Sequence, residues 1–224
     1  MSGAAPRWVI AFLAASLAAQ VAWQAARSGL SKDQSELPPA PGAPALRLAS
    51  FGEPEALARL AMIFVQSRES IDYTRLFAWL ESVLALDPRT QYPLFAAARV
   101  YAETGDNGRT RAALDFVYRQ FLHDPARRWP WLAHAALLAK HRLKDLPLAR
   151  AYARALEQHT AGVALPLWAR QMEIFILEDM NELDAARIMI ASWLESGQID
   201  DPAEMRFLKQ RLDELEARMA GEKR

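Results

Sequence analysis

The stretches YPLFAAARVYAE (residues 92–103), WPWLAHAALLAK (129–140) and LPLWARQMEIFI (165–176) each carry a proline at the second position, ahead of an apolar pattern typical of a helix. Proline is favoured at the start of a helix because its missing N–H needs no partner there. Five such prolines recur at intervals of 39, 37, 36 and 36 residues: Pro54, Pro93, Pro130, Pro166 and Pro202. This recurrence predicts an internal repeat in which each unit begins with a helix.

A second helix is predicted between successive prolines. Each contains a small residue at a regular interval of 35 or 36 positions: Ala78, Ala113, Ala149 and Ala185. Two of these helices end at an Asp-Pro pair, Asp87-Pro88 and Asp124-Pro125, since proline cannot continue the preceding helix. The pattern therefore predicts four helix pairs and a charged closing helix from Pro202 to about Met219, whose polar surface would keep the end of the array soluble.

The composition agrees with an all-α fold. Ala, Leu, Arg and Glu, which are strong helix formers, dominate over β-branched residues and only nine glycines are present among the 224 residues. Lys+Arg and Asp+Glu both number 27, so the chain has no basic excess that would indicate nucleic-acid binding. Cysteine is absent, which excludes disulfides, thiolate nucleophiles and Cys-based zinc sites.

An uncharged stretch from Trp8 to Ala26 lies between Arg7 and Arg27. Its 19 residues nearly match the length needed to cross a bilayer, and Trp8 and Trp23 lie near its ends. We expect residues 1–27 to form an N-terminal transmembrane signal anchor, with a cleaved signal peptide and a buried helix as the alternatives. A short N-terminus normally stays inside, so the expected location is the inner (cytoplasmic) membrane with the helical domain in the periplasm.

Residues 28–49 contain four prolines within 37–45, which favours extended, polyproline-like backbone. This segment is predicted to be a proline-rich linker that holds the folded part away from the bilayer. The repeat domain is then expected over 50–219, followed by a charged tail at 220–224.

The repeat region resembles tetratricopeptide repeats over about residues 52–219. The residues that match the family pattern are Ala98, Tyr101, Gly105, Ala113 and Pro125. The spacing of the prolines is longer than the family's period of ~34 residues, and Trp131 and Trp168 fit the family's Trp position only loosely. The resemblance implies a right-handed superhelical array of antiparallel helix hairpins, in which the first helix of each pair lines a concave face.

A candidate groove follows from this resemblance when the register is transferred through the aligned prolines. It consists of Tyr92, Phe95, Arg99, Trp129, Leu132, Trp168 and Met172. The set is unusually apolar for a solvated face, and exposed apolar patches mark binding sites. We expect the partner to be another protein that offers a peptide or an amphipathic helix. A register error of one residue would make these core positions instead, which is also the general expectation for the tryptophans.

Motifs for chemistry are missing from the sequence. His134 and His141 are seven residues apart rather than the four of a helical zinc pair, and the loop Gly105–Gly108 lacks both a phosphate-binding Lys-Ser/Thr and a calcium-binding acidic ladder. No serine nucleophile motif is present. We therefore predict no catalytic residues, no cofactor, no metal and no small-molecule substrate. The expected function is a membrane-anchored interaction scaffold or assembly factor, with an integral accessory subunit of a larger membrane complex as the alternative.

Overall fold

The computed structural model describes residues 15–23, 36–68, 72–197 and 199–222. These residues form helices and turns without a β-strand, which confirms the predicted all-α class. The chain divides between Arg89 and Thr90 into two compact units, called unit 1 and unit 2 here. The sequence predicts one repeat domain over 50–219, and the division falls inside this range.

In the described part of unit 1, three complete helices follow the described part of α1 (residues 15–23): α2 (Ala43–Ala49), α3 (Pro54–Gln66) and α4 (Tyr73–Leu86). Helix α3 begins at Pro54, as the sequence predicts, with Glu55 in its first turn where the helix dipole favours an acid. Helix α4 is capped by Asp72, whose carboxylate accepts from the Thr74 N–H at 2.8 Å. The two helices pack together, and the rings of Phe64 and Trp79 lie 5.2 Å apart.

The predicted membrane span falls mostly outside the described residues. Only residues 15–23 of the stretch from Trp8 to Ala26 are described, and they are helical and exposed. Within the described ranges, no helix combines the length and the apolar character that crossing a bilayer requires.

The second half of the predicted linker is folded against unit 1. Leu37 has no exposed surface, and the short helix α2 packs on both α3 and α4. Residues 36–49 are therefore not a free spacer, in contrast to the prediction from their proline content. Residues 24–35 lie outside the described part of the chain.

Unit 2 contains the remaining helices, two of which continue into π-helical segments. Their bounds are α5 (Tyr92–Phe95) continuing as the π-helical Ala96–Tyr101, α6 (Asn107–His123), α7 (Pro125–Leu138) continuing as the π-helical Ala139–Leu143, α8 (Leu146–His159), α9 (Leu167–Arg170), α10 (Met172–Asp179), α11 (Leu183–Glu195) and α12 (Pro202–Glu222). Consecutive helices pack against each other, from α6 on the π-helical end of α5 to α12 on α11. Each predicted starting proline of unit 2 thus lies at or within a helix, and further helices lie between these prolines.

Aspartates cap the helices of unit 2 and fix where they start. Asp106 accepts from the Arg109 N–H at 3.1 Å, and Asp145 accepts from the Leu148 N–H at 2.9 Å. Asp124 ends α6 and also caps α7, accepting from the Arg127 N–H at 3.3 Å. The predicted stop at Asp124 is therefore correct, and the next helix begins at once.

The recurring prolines do not occupy equivalent helix positions. Pro54 and Pro202 begin their helices and Pro93 is the second residue of α5, but Pro166 is the N-cap of α9. Pro130 lies inside α7, because Pro125 takes the starting position that the sequence analysis gave to Pro130. The prolines consequently do not give the helices a common register.

Three nearly buried glutamates connect helices of unit 2 through arginines. The pairs are Arg150–Glu173 at 3.2 Å, Arg170–Glu204 at 3.9 Å, and Arg211–Glu178 with Nε and Oε1 2.9 Å apart. Each pair joins two different helices, and in each the glutamate is far more buried than its arginine. These contacts position the end of the unit where α10, α11 and α12 share a core of Ile174, Leu177, Ile190 and Leu208.

Candidate binding surface

The N-terminal turn of α5 exposes two aromatic rings. Tyr92 and Phe95 stand on the same side of the helix, and their rings stack with centroids 5.8 Å apart and an interplanar angle of 26°. Both side chains are exposed, as the sequence predicts. Stacked rings at this separation hold each other in place, so the pair offers a pre-formed apolar surface.

Trp131 on α7 extends this surface. Its ring meets the ring of Phe95 edge-on, with centroids 5.9 Å apart, and its indole N–H donates to the side-chain oxygen of Gln91 at 2.7 Å. Trp131 is half-buried, so one part of the indole supports Phe95 while another part remains accessible. The sequence predicts Trp131 in the core rather than in the groove.

A second aromatic contact lies on the other side of α7. Trp129 and Trp168 approach with ring centroids 6.0 Å apart, and Trp168 is 51% exposed while Trp129 is half-buried. Trp129 and Trp131 are two residues apart on a helix, so they point to different sides. Helix α7 therefore contacts α5 through Trp131 and α9 through Trp129.

Two residues of the predicted groove are core residues. Leu132 has no exposed surface and Met172 is only 5% exposed, so neither lines an open surface. The error comes from the register: Phe95 and Trp168 follow Pro93 and Pro166 by two residues and are exposed. Leu132 follows Pro130 by the same two residues, but it is buried because Pro130 lies inside α7. We call the remaining rings, together with Trp131, the aromatic surface: Tyr92, Phe95, Trp129, Trp131 and Trp168.

Charged and polar groups border the first part of the aromatic surface. Arg99, predicted for the groove, is exposed within the π-helical segment and faces Glu103 with Nε and Oε1 3.9 Å apart. His134 on α7 is partly buried beside them. Burial and then the charge of Arg99 lower the pKa of His134 below its ordinary value of 6.5, so this imidazole is neutral at pH 7. Its Nε2 makes no hydrogen bond to the described residues.

The π-helical segment that carries Arg99 is held by a wide backbone bond. The Ala102 N–H donates to the Ala97 carbonyl at 2.9 Å, an i to i−5 contact. Such segments insert an extra residue into a helical turn and are often found at functional sites. Here the widened segment begins directly after Phe95 and contains Arg99.

A separate cavity of about 590 Å³ lies in unit 2 beside the turn 160–165. Arg170 lies over the ring of Trp193, 5.6 Å from its centroid, and the Trp193 indole N–H donates to Glu157 at 3.3 Å. The polar groups of this cavity already pair with one another, and Arg170 also contacts Glu204. In the described ranges, no group of three His, Asp or Glu side chains could hold a metal ion.

Comparison with known proteins adds no identification. Protein-family models, curated proteins and solved structures give no match to this chain, so the expected resemblance to tetratricopeptide repeats stays a prediction.

Proposed function

We propose that this protein is a membrane-anchored scaffold whose unit 2 binds an apolar or amphipathic helix of another protein through the aromatic surface. The observation that carries the proposal is the exposure of large rings on neighbouring helices. Covering exposed apolar surface contributes ~25 cal/mol per Å², and aromatic side chains dominate the binding energy of many interfaces.

The arrangement of the rings supports a shared surface rather than isolated exposed residues. Phe95 contacts Trp131, and Trp129 contacts Trp168, so α7 has an aromatic contact with α5 on one side and with α9 on the other. These are the first helices of three successive predicted pairs. In the proposed tetratricopeptide-like superhelix, first helices lie side by side along the concave face, where a partner helix binds.

The charged residue at the border of the aromatic surface favours a partner that carries both apolar and acidic side chains. Arg99 is exposed beside the stacked rings of Tyr92 and Phe95. Among the described residues, its ion pair is with Glu103 and is long, at 3.9 Å, so the guanidinium retains donors for a carboxylate of the partner. The partner proposed is therefore an amphipathic helix with an apolar stripe and an acidic residue next to it.

The membrane part of the proposal rests on the uncharged stretch from Trp8 to Ala26 and its flanking arginines. The proposed location is the inner membrane, with the two units on the periplasmic side. Alkaline extraction of membranes tests the anchor, and protease digestion of spheroplasts tests the side. Release of the full chain by alkali would contradict the anchor.

Site-specific photo-cross-linking in native membranes tests the binding surface. A photoreactive phenylalanine analogue is placed at Tyr92 or at Trp168, with Phe207 on α12 as the matched control because it is also an exposed aromatic residue of unit 2. We expect both test positions to yield the same adduct, and its peptide to contain an amphipathic helical sequence. Equal labelling from Phe207, or no adduct at either test position, would contradict the proposal.

A second candidate, a permanent accessory subunit of a membrane complex, is favoured by a different surface. Helix α3 in unit 1 exposes Leu60 and Ile63, which lie one turn apart on one face and are each more than 60% exposed. A permanent subunit would bury such a face at all times. Co-purification at a fixed ratio, with loss of the protein when the complex is missing, distinguishes this candidate from a scaffold that binds reversibly.

A further inference from the structure

The proline-rich residues Leu37–Pro41 lie along α4 and are held there by side-chain donors. Arg75 donates to the Leu37 carbonyl at 3.0 Å, and the Trp79 indole N–H donates to the Pro38 carbonyl at 2.8 Å. The Ser82 hydroxyl donates to the Pro41 carbonyl at 3.2 Å. We call Leu37–Pro41 the strap. Its backbone is thus recognised through its carbonyl oxygens.

The donors form one row on α4. Arg75, Trp79 and Ser82 follow each other at four and three residues, which places them on one face of the helix. Proline has no N–H, so a proline-rich segment offers only carbonyls and ring surface to a partner. In a polyproline II helix the carbonyls repeat every three residues, and Pro38 and Pro41, which both accept bonds, have this spacing. Gly42, directly after the strap, has the polyproline II angles φ −62° and ψ 149°.

An apolar contact accompanies the hydrogen bonds. Leu37 is completely buried, and Trp79 is nearly so, with its other side against the ring of Phe64. Glu36 forms an ion pair with Arg75 at 3.4 Å just before the strap. An aromatic donor, a pocket for one apolar side chain and a charged residue at the end are the features that proline-rich peptides use when they bind aromatic-lined grooves.

We propose that this face of α4 is a binding site for proline-rich segments in which a leucine precedes two prolines, and that the strap is its resident ligand. The strap fills the site because its attachment to the same chain gives it a high effective concentration. When the strap leaves, the site accepts a separate segment of the same chemistry. This inference concerns unit 1 and does not depend on the proposed partner of the aromatic surface.

A rescue experiment in trans tests the site in the full-length protein. Leu37→Asp places a charge at a buried position and should release the strap. A fluorescent peptide with the sequence of residues 36–42, ELPPAPG, is then titrated against the wild type and the variant, and binding is followed by anisotropy. We expect saturable binding to the variant and at least ten-fold weaker binding to the wild type, whose site is occupied.

Three further comparisons assign the binding to the proposed donors and to the prolines of the peptide. Adding Trp79→Phe to the Leu37→Asp variant removes the indole N–H but keeps a ring beside Phe64, and should weaken peptide binding at least ten-fold. Trp193→Phe, which removes another hydrogen-bonded indole in unit 2, should leave it unchanged. A peptide in which Pro38, Pro39 and Pro41 are replaced by alanine should not bind.

The proposal is overturned if the folded Leu37→Asp variant does not bind the peptide, or if Trp79→Phe leaves its affinity unchanged. If Leu37→Asp unfolds unit 1 by circular dichroism, the chain with Pro38→Ala, Pro39→Ala and Pro41→Ala is used in its place, since it keeps Leu37. Unfolding of both variants would show that the strap is an integral part of the core rather than an exchangeable ligand, and would also overturn the proposal.

Discussion

The ring of Phe95 meets the ring of Trp131 edge-on at a centroid distance of 5.9 Å, and so joins α5 to α7 through two residues that both remain accessible to solvent. Aromatic pairs of this kind contribute to stability and also hold their rings at fixed angles. The contact therefore links folding of unit 2 to the shape of its proposed binding surface.

Phe95→Ala is expected to lower the free energy of unfolding of unit 2 by about 1 kcal/mol, because it removes ring contacts with both Tyr92 and Trp131. Urea unfolding followed by circular dichroism measures the change. Leu122→Ala, which truncates a similarly exposed apolar side chain on α6, serves as the control and should cost less. Equal losses in the free energy of unfolding would mean that the ring contacts add nothing beyond the apolar area that each side chain buries.

Asp124→Ala is expected to destabilise the protein by about 1 kcal/mol, because it removes the carboxylate that caps α7. Asp213→Ala on the exposed face of α12 is the matched substitution away from a helix start. Chemical denaturation of both variants gives the comparison. A neutral effect of Asp124→Ala would contradict the capping role.

Arg211→Ala is expected to cost about 2 kcal/mol, because Glu178 is nearly buried and loses the guanidinium that donates to both of its oxygens. Arg218 approaches Glu178 to 3.6 Å and compensates in part. Arg206→Ala, on the exposed side of the same helix, should change the free energy of unfolding little. Adding Glu178→Gln to Arg211→Ala should recover part of the loss, since it removes the unpaired buried charge; no recovery would argue against this account.

His134 is expected to make the protein less stable in mild acid. Burial lowers the pKa of this imidazole in the folded state, so between the folded and unfolded pKa values the unfolded chain binds more protons. The free energy of unfolding therefore falls as the pH drops below the ordinary value of 6.5. Urea midpoints at pH 7.5 and pH 5.5 should differ more for the wild type than for His134→Gln. The exposed His123→Gln variant should behave like the wild type.

Several helix starts could be read from the sequence because they have local causes. Pro54 and Pro202 begin helices as predicted, since proline needs no partner for an N–H there. Pro130 was misplaced because Pro125 also fits a helix start, and the aspartate before Pro125 decides between them. The N-cap Asp124 was present in the sequence, but it was interpreted only as the end of the preceding helix.

The candidate surface was partly predictable. Tyr92, Phe95, Arg99 and Trp168 are exposed as expected, since they were placed from Pro93 and Pro166, which lie at or near helix starts. Burial of Leu132 and of Met172 depends on which side of each helix faces its neighbours. The prolines occupy different positions in their helices, so counting from them does not identify that side. The π-helical segments make burial harder to predict, because the extra residue rotates the following side chains by a fraction of a turn. The spacing of apolar residues in the sequence does not reveal where this happens.

The docked strap could not be predicted from its own residues. Four prolines within 37–45 favour extended backbone, and such segments are commonly free linkers. Whether their carbonyls find donors depends on Arg75, Trp79 and Ser82, about forty positions later. The segment's composition determines its conformation, and contacts distant in sequence determine where it lies.

The joint at Asp124 also has a consequence for how this chain tolerates changes in length. Helix α6 ends at His123 and α7 begins at Pro125, so the direction of α7 follows from the backbone angles of one residue, φ −152° and ψ 72°. Only Asp124 connects the two helices, so an extra amino acid there would change the direction of α7. In an insertional mutagenesis screen, single codons added between His123 and Pro125 should be selected against, whereas additions in the exposed turn at Ala161 and Gly162 should survive.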